Sequence, residues 1–203
     1  MSVETELKWH LLDEPDPEQL GAFGSEPTRI EQHYLSTVDG AEERVRHLSG
    51  PTGQRFVHTI KRDRPGIGGA LVREENEHDI TRAQYRAVLD ANADVGDVVV
   101  KDRWRFTYQK HDFELDQFHT PDVGWLLELE LRPDETHTQV SLPAWLGSVV
   151  EVTSDPRWRN AALAKLGQHQ STTNLRDRPQ AFRPPSLASG EAADTGPPND
   201  AGR

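Results

Sequence analysis

The segments Val100-Lys101-Asp102-Arg103-Trp104-Arg105-Phe106, Phe113-Glu114-Leu115-Asp116-Gln117-Phe118 and Leu127-Glu128-Leu129-Glu130-Leu131 each change character at every second residue. Period two belongs to the β-strand, whose successive side chains point to opposite faces. Lys101, Arg103 and Arg105 thus share a face opposite Val100, Trp104 and Phe106. Glu114 falls with Asp116, and Glu128 with Glu130, opposite Leu127, Leu129 and Leu131. An antiparallel sheet with one wet face also alternates, but its polar face ordinarily mixes Thr, Ser, Gln and Lys. Here the signs come in blocks. Like charges two residues apart on one strand face repel and do nothing for folding, so a ligand or an opposing strand must offset them.

The same pattern extends outward along the chain. Glu4, Glu6 and Lys8 oppose Val3, Leu7 and Trp9; Arg44 and Arg46 share a face; Arg55, Val57, Thr59 and Lys61 oppose Phe56, His58 and Ile60; Arg73, Glu75 and Glu77 fall together. Helix signals are few. Thr81 precedes a segment with Tyr85, Val88 and Leu89 at helical spacing. Asp155-Pro156 reads as a cap followed by proline, opening a helix through Trp158, Ala162 and Leu166. A short turn is expected around Pro17-Glu18-Gln19-Leu20. The loop Arg64-Pro65-Gly66-Ile67-Gly68-Gly69 reads as a connection between strands. The expected fold is α+β: an eight-stranded antiparallel β-barrel with a charged lumen, its apolar outer face covered by a few helices and loops.

A charged, solvated centre accounts for the composition of the 203-residue chain, which is only 34% hydrophobic. The length suits one domain, since domains typically run about 100–200 residues. The formal charge of −11 argues against a generic duplex-binding surface, which is normally basic. With no cysteine, disulfide scaffolds, Cys-based zinc sites and thiol nucleophiles are excluded. No apolar run approaches the ~20 residues of a membrane span, and Met1-Ser2-Val3-Glu4 opens no apolar signal region. A cytoplasmic location without nucleic-acid or membrane partners is expected. From Ser171 onward, five prolines among small polar residues describe a disordered tail whose four arginines balance four acids. The domain is therefore placed at residues 1–170 and the tail at 171–203.

A lumen of both signs suits a polyphosphate. Several Arg and Lys can follow a chain of phosphate oxygens, Arg with fork-shaped contacts and Lys with point charges. Carboxylates alone would repel such a ligand, so they make sense as holders of a bridging divalent cation; oxygen-only donors favour Mg²⁺ or Mn²⁺. Other signals carry less. None of the nine histidines forms H-x-H or H-E-x-x-H. Gly66-Ile67-Gly68-Gly69 lacks the Lys-Ser/Thr of a phosphate-binding P-loop, and Ser141 and Ser148 have no triad context.

Glu4-Thr5-Glu6-Leu7-Lys8 matches an E-x-E-x-K pattern. It is followed in order by Gln32-His33-Tyr34-Leu35, Arg44-Val45-Arg46, Thr59-Ile60-Lys61, and Arg73-Glu74-Glu75-Asn76-Glu77. Then come the three segments quoted first, Pro143-Ala144-Trp145-Leu146-Gly147, Glu151-Val152-Thr153 and Trp158-Arg159-Asn160. The succession resembles the CYTH family, the triphosphate tunnel metalloenzymes, over residues 2–167, and the short form is most like its small bacterial triphosphatases.

The resemblance implies an eight-stranded tunnel, a triphosphate-containing substrate and a divalent metal, Mg²⁺ or Mn²⁺. By similarity, Glu4, Glu6, Glu128 and Glu130 hold metal, with Asp116 and Glu114 beside them. Lys8, Arg44, Arg46, Lys61, Arg73, Lys101 and Arg103 correspond to phosphate contacts. Glu75 and Glu77 match an acidic pair on a middle strand, Glu151 is a further lumen candidate, and Tyr34 matches a tyrosine proposed as proton acceptor, with Lys8 as its catalytic companion. Hydrolysis of inorganic tripolyphosphate is the first expectation. A class IV-type adenylate cyclase and a non-catalytic polyphosphate-binding module remain the alternatives, and monomer or homodimer stays open.

Overall fold

Nine strands and three helices follow one another in the computed structural model, which describes residues 5–22, 26–35, 41–65, 71–92, 97–132 and 140–171. Strand β1 (Thr5–Leu11) leads through helix α1 (Pro17–Ala22) to β2 (Thr28–Leu35), β3 (Glu42–Gly50), β4 (Gly53–Pro65) and β5 (Leu71–Asp79). Helix α2 (Arg82–Ala91) precedes β6 (Val98–Tyr108), β7 (His111–Thr120) and β8 (Gly124–Leu131). A 3₁₀ turn (Ala144–Leu146), the short β9 (Val149–Glu151), a second 3₁₀ turn (Pro156–Trp158) and helix α3 (Asn160–Ser171) complete the order. The expected tail lies outside the described residues from 172 onward. So does the centre of the Gly-rich connection, whose flanks are the end of β4 and the start of β5.

All nine strands form one sheet in the order β5-β4-β3-β2-β6-β7-β8-β1-β9, and the pairings are antiparallel. The α+β class stands, but the closed eight-stranded barrel does not. Closure would require β5 to pair with the far edge of the sheet. That edge belongs to β9, which has taken the outer side of β1 in the register Trp9↔Glu151, His10↔Val150 and Leu11↔Val149. Alternation in a sequence fixes which face each side chain occupies, not whether the first and last strands meet.

The apolar face packs where the sequence predicts. Leu7, Trp9 and Leu11 of β1 join Leu127, Leu129 and Leu131 of β8 and Phe113 and Leu115 of β7, covered by Leu20 of α1 and Leu146 of the first 3₁₀ turn. Thr81 caps α2 through a reciprocal capping box with Gln84, which satisfies two otherwise orphaned backbone donors. Tyr85 of α2 packs on Phe56 and near His47, the latter two stacked with centroids 4.7 Å apart.

A second cluster sits on the other face. Tyr34, Val99, Phe118 and Leu126 gather with Trp158, Leu163 and Ala164. These strand positions continue the charged rows by two residues, so the second 3₁₀ turn and α3 cover one end of the charged face. Gly167 allows the close fit, because a Cβ there would come within 3.0 Å of the Val98 carbonyl oxygen. The C-terminal helix starts later than its sequence suggests. Asp155 caps only the 3₁₀ turn, Arg159 is extended, and α3 begins at Asn160. Leu166, expected on its packed face, is among the exposed residues, and Leu163 and Ala164 are buried instead.

Candidate functional site

The register brings the charges onto one face. Tyr34↔Arg44↔Thr59↔Glu77 is one cross-strand row, and Glu42↔Lys61↔Glu75 continues it. Arg103↔Asp116, Arg105↔Glu114↔Glu128, Lys8↔Glu128 and Glu6↔Glu130 supply the remainder. Since directly paired residues of an antiparallel ladder point the same way, the sheet curls these rows around one cavity of about 1110 Å³. Strands β1 to β8 each contribute to its wall.

Arg103 is the centre of the deep wall. Its Nε donates to Asp116 Oδ1 at 2.6 Å, and Nη2 donates to Asp116 Oδ2 and to Glu128 Oε2 at 2.8 Å. Nη1 pairs with Glu114. Lys101 Nζ also donates to Asp116 Oδ2, at 2.6 Å, and lies over the Phe118 ring. Lys8 Nζ contacts Glu128 at 2.6 Å and Glu6 at 3.3 Å and donates to the Trp158 carbonyl oxygen at 3.2 Å. Charges this deep persist only when paired and hydrogen-bonded.

The environment sets their protonation. Burial pushes the Glu128 carboxyl up, but Lys8, Lys101 and Arg103 hold it well below the usual carboxylate range. Burial lowers Lys8, and Glu128 and Glu6 more than reverse this, leaving it above its ordinary value. Lys101 falls to about 8 through burial and the neighbouring Arg103, against the pull of Asp116 and Glu128.

The opposite wall is more open. Lys61 contacts Glu75 at 2.9 Å, Arg44 stands 3.8 Å from Glu75, and Arg46 pairs with Glu77, which also accepts from the Thr59 hydroxyl. Arg44 Nε and Arg46 Nε are sealed from solvent without a hydrogen-bond partner. Burial and the adjacent Arg44 lower Arg46 to about 10. Two adjacent arginines so placed concentrate positive charge on this wall.

Most expected residues meet here. Glu6, Glu128 and Glu130 line the cavity with Lys101 and Arg103, and so do Arg44, Arg46, Lys61, Glu75, Glu77 and Glu114. Four placements differ. Asp116, expected to hold metal, is fully buried as the counter-ion of Lys101 and Arg103. Lys8, expected to touch substrate, lies behind Glu128 and is absent from the wall. Glu151 pairs with Trp9, which puts it on the apolar face rather than in the lumen. Tyr34 is buried and its hydroxyl accepts from Gln32 Nε2 at 2.7 Å. Burial pushes its phenol up, which disfavours the phenolate a proton acceptor would regenerate. Glu4 lies outside the described residues. Arg73 pairs with Asp63 in the β4–β5 ladder, its side chain outside them.

The cavity also takes in Arg105, Thr107 and Asp112 toward one end, together with Gln32, Arg132 and Asn160. For Arg105 a signal existed, since it stands four residues beyond Lys101 in one alternation. Arg132 and Asn160 lie outside the strands, where alternation says nothing.

The donor set can be tested against a divalent cation. Glu6 and Glu130 face each other directly on β1 and β8, and like charges in that position are destabilising. Both are oxygen donors of the kind Mg²⁺ and Mn²⁺ accept, so the pair fits such an ion, with Glu128 next along β8. Among the described residues no three His, Asp or Glu are already gathered to hold a metal. The physical reason is that Glu128, Asp116 and Glu114 spend their oxygens on Arg103, Lys8 and Lys101.

Two solved structures of NE1496 are similar to this chain. One, described as a hypothetical protein, is 29% identical, with a TM-score of 0.53 over 79% of this chain and 97% of that one. The other, described as the inorganic triphosphatase NE1496, is 27% identical, with a TM-score of 0.54 over 81% and 95%. No family model and no curated protein matches the chain. An antiparallel sheet curls around an Arg- and Glu-lined cavity and carries the ordered motifs from Glu6 to Asn160. With its ordered motifs and its likeness to the inorganic triphosphatase NE1496, the chain resembles the CYTH family. Among the described residues no helix is long and apolar enough to cross a membrane.

Proposed function

We propose that the chain is a divalent-metal-dependent hydrolase of inorganic triphosphate. The observation that carries the reading is the division of the cavity into two walls. Arg44, Arg46 and Lys61 form a cationic wall of the same cavity that the carboxylate pair Glu6 and Glu130 lines. Likeness to the inorganic triphosphatase NE1496 supports the same reading.

In this reading the cationic wall binds the phosphate chain and holds it in line, which converts an encounter into an oriented, nearly unimolecular step. Arg103 and Lys101 extend that wall into the deep end. Tyr34, fixed by Gln32, holds Arg44 in place. Glu6 and Glu130 hold Mg²⁺ or Mn²⁺, which when bound offsets phosphate charge and polarises a phosphoryl oxygen. Water is the other reactant, and the products are orthophosphate and pyrophosphate. Residues 1–170 suffice for all of this, and residues 171–203 are a spacer outside the chemistry.

Phosphate release from tripolyphosphate, ATP and thiamine triphosphate, with Mg²⁺, with Mn²⁺ and with EDTA, tests the reading. Metal-dependent release from tripolyphosphate is expected. Cyclic AMP from ATP without orthophosphate would replace hydrolase by cyclase, and tight tripolyphosphate binding without turnover would make the cavity a receptor.

A further inference from the structure

The cavity has a closed end, and Asn160 stands at it. The 3₁₀ turn Pro156–Trp158 is pinned by Lys8, which donates to the Trp158 carbonyl oxygen. The Trp158 ring lies against His10, with centroids 4.5 Å apart. Leu163 and Ala164 of α3 are fully buried behind it. Asn160, the first residue of α3, is thus carried on a rigid support, and it lines the cavity.

The two ends of its carboxamide are in different surroundings. Oδ1 is sealed from solvent and has no hydrogen-bond partner. Nδ2 is not among the sealed atoms, and among the described residues it donates to no protein acceptor. The amide nitrogen is therefore the polar atom Asn160 offers to the cavity. Gln32 also lines the cavity as a neutral amide, but its Nε2 is committed to the Tyr34 hydroxyl. A desolvated acceptor at Oδ1 is a cost the fold does not need, and a donor held rigidly toward an anion-binding space is a return for it.

We propose that Asn160 is a further substrate-contact residue, donating Nδ2 to a phosphate oxygen at the α3 end of the cavity. The proposal rests on the triphosphate reading above and adds a neutral donor to its cationic contacts. Next to the closed Lys8–Glu128 pair, a neutral donor binds an oxygen without disturbing the local balance of charge.

The test separates binding from folding. Asn160→Ala removes both the donor at Nδ2 and the sealed, unpaired acceptor at Oδ1, and Asn160→Asp replaces the donor by a negative acceptor. Binding and stability should then move in opposite directions. Tripolyphosphate is titrated by calorimetry into the full chain in EDTA, for wild type, Asn160→Asp and Asn160→Ala, and each is melted in parallel. Expected are a loss of about tenfold for Ala, the scale of one hydrogen bond to a charged group, and a larger loss for Asp, with the Ala variant melting no lower than wild type. Unchanged affinity in both variants would overturn the contact. So would a loss that only follows a drop in melting temperature. Absence of binding by the wild-type chain, in EDTA and in excess Mg²⁺ alike, would overturn the triphosphate reading itself, and it would show before any substitution is made.

Discussion

Glu6 on β1 and Glu130 on β8 stand directly opposite each other on the charged face, one step along the ladder from the ion pair of Lys8 and Glu128. The inner pair is buried and neutralised. The outer pair is exposed, and its only close cation among the described residues is Lys8, 3.3 Å from Glu6. The same two strands thus carry a structural pair and, beside it, a pair that repels until a cation is supplied.

Glu6→Gln and Glu130→Gln should each abolish metal-dependent release of phosphate from tripolyphosphate. Stability should hold or rise, since removing a cross-strand like-charge contact is worth roughly 0.2–1 kcal/mol. Turnover in Mg²⁺ and a urea melt check both halves; wild-type turnover in either variant would remove that residue from the metal-holding pair.

Arg103→Met should behave in the opposite way. It leaves Asp116 buried without its main partner and Glu128 without one of its two ion-pair partners, and breaking a buried pair costs about 3–5 kcal/mol. Arg105→Met, at an exposed position, should stay within about 0.5 kcal/mol of wild type. Equilibrium urea unfolding of the two variants decides whether the deep wall is structural.

Arg44→Ala and Arg46→Ala should weaken tripolyphosphate binding at least about tenfold, or 1.4 kcal/mol each, with the fold retained. Their partners Glu75 and Glu77 are solvent-accessible and tolerate the loss. Calorimetric titration reads the affinity, and an unchanged value would place these arginines outside the binding wall.

His10 gives the fold a pH dependence. Burial lowers its pKa, against the hydrogen bond to the Val123 carbonyl oxygen. The unfolded chain therefore takes up the proton first. The His10 contribution is complete above the unfolded value near 6.5 and is lost as pH falls through the lower, folded value. Wild type should lose more stability between pH 7.5 and 5 than His10→Gln does. Equal losses in denaturant titrations at the two pH values would show that His10 is not responsible.

Much of this was legible in the residues. The alternation in Lys101, Arg103 and Arg105 and in Glu128 and Glu130 places them on the cavity side, and the register bears this out. Thr81 announced the start of α2, and Pro17–Leu20, expected as a short turn, opens helix α1. Asp116 was not legible as a buried counter-ion. Its face follows from period two, but its depth depends on Lys101 and Arg103 reaching it from the neighbouring strand.

The sequence by itself therefore determined the long strands (though not the short β9), the sign of the charge on each and the chemistry such a face can hold, because all of these are set by local periodicity and side-chain type. Only the tertiary structure decided that the sheet is open, that Glu151 faces the apolar side, that Lys8 is locked behind Glu128 and that Asn160 meets the cavity. Each of those depends on which strand or helix arrives beside another, and the energies that choose between such arrangements act between residues far apart in the chain.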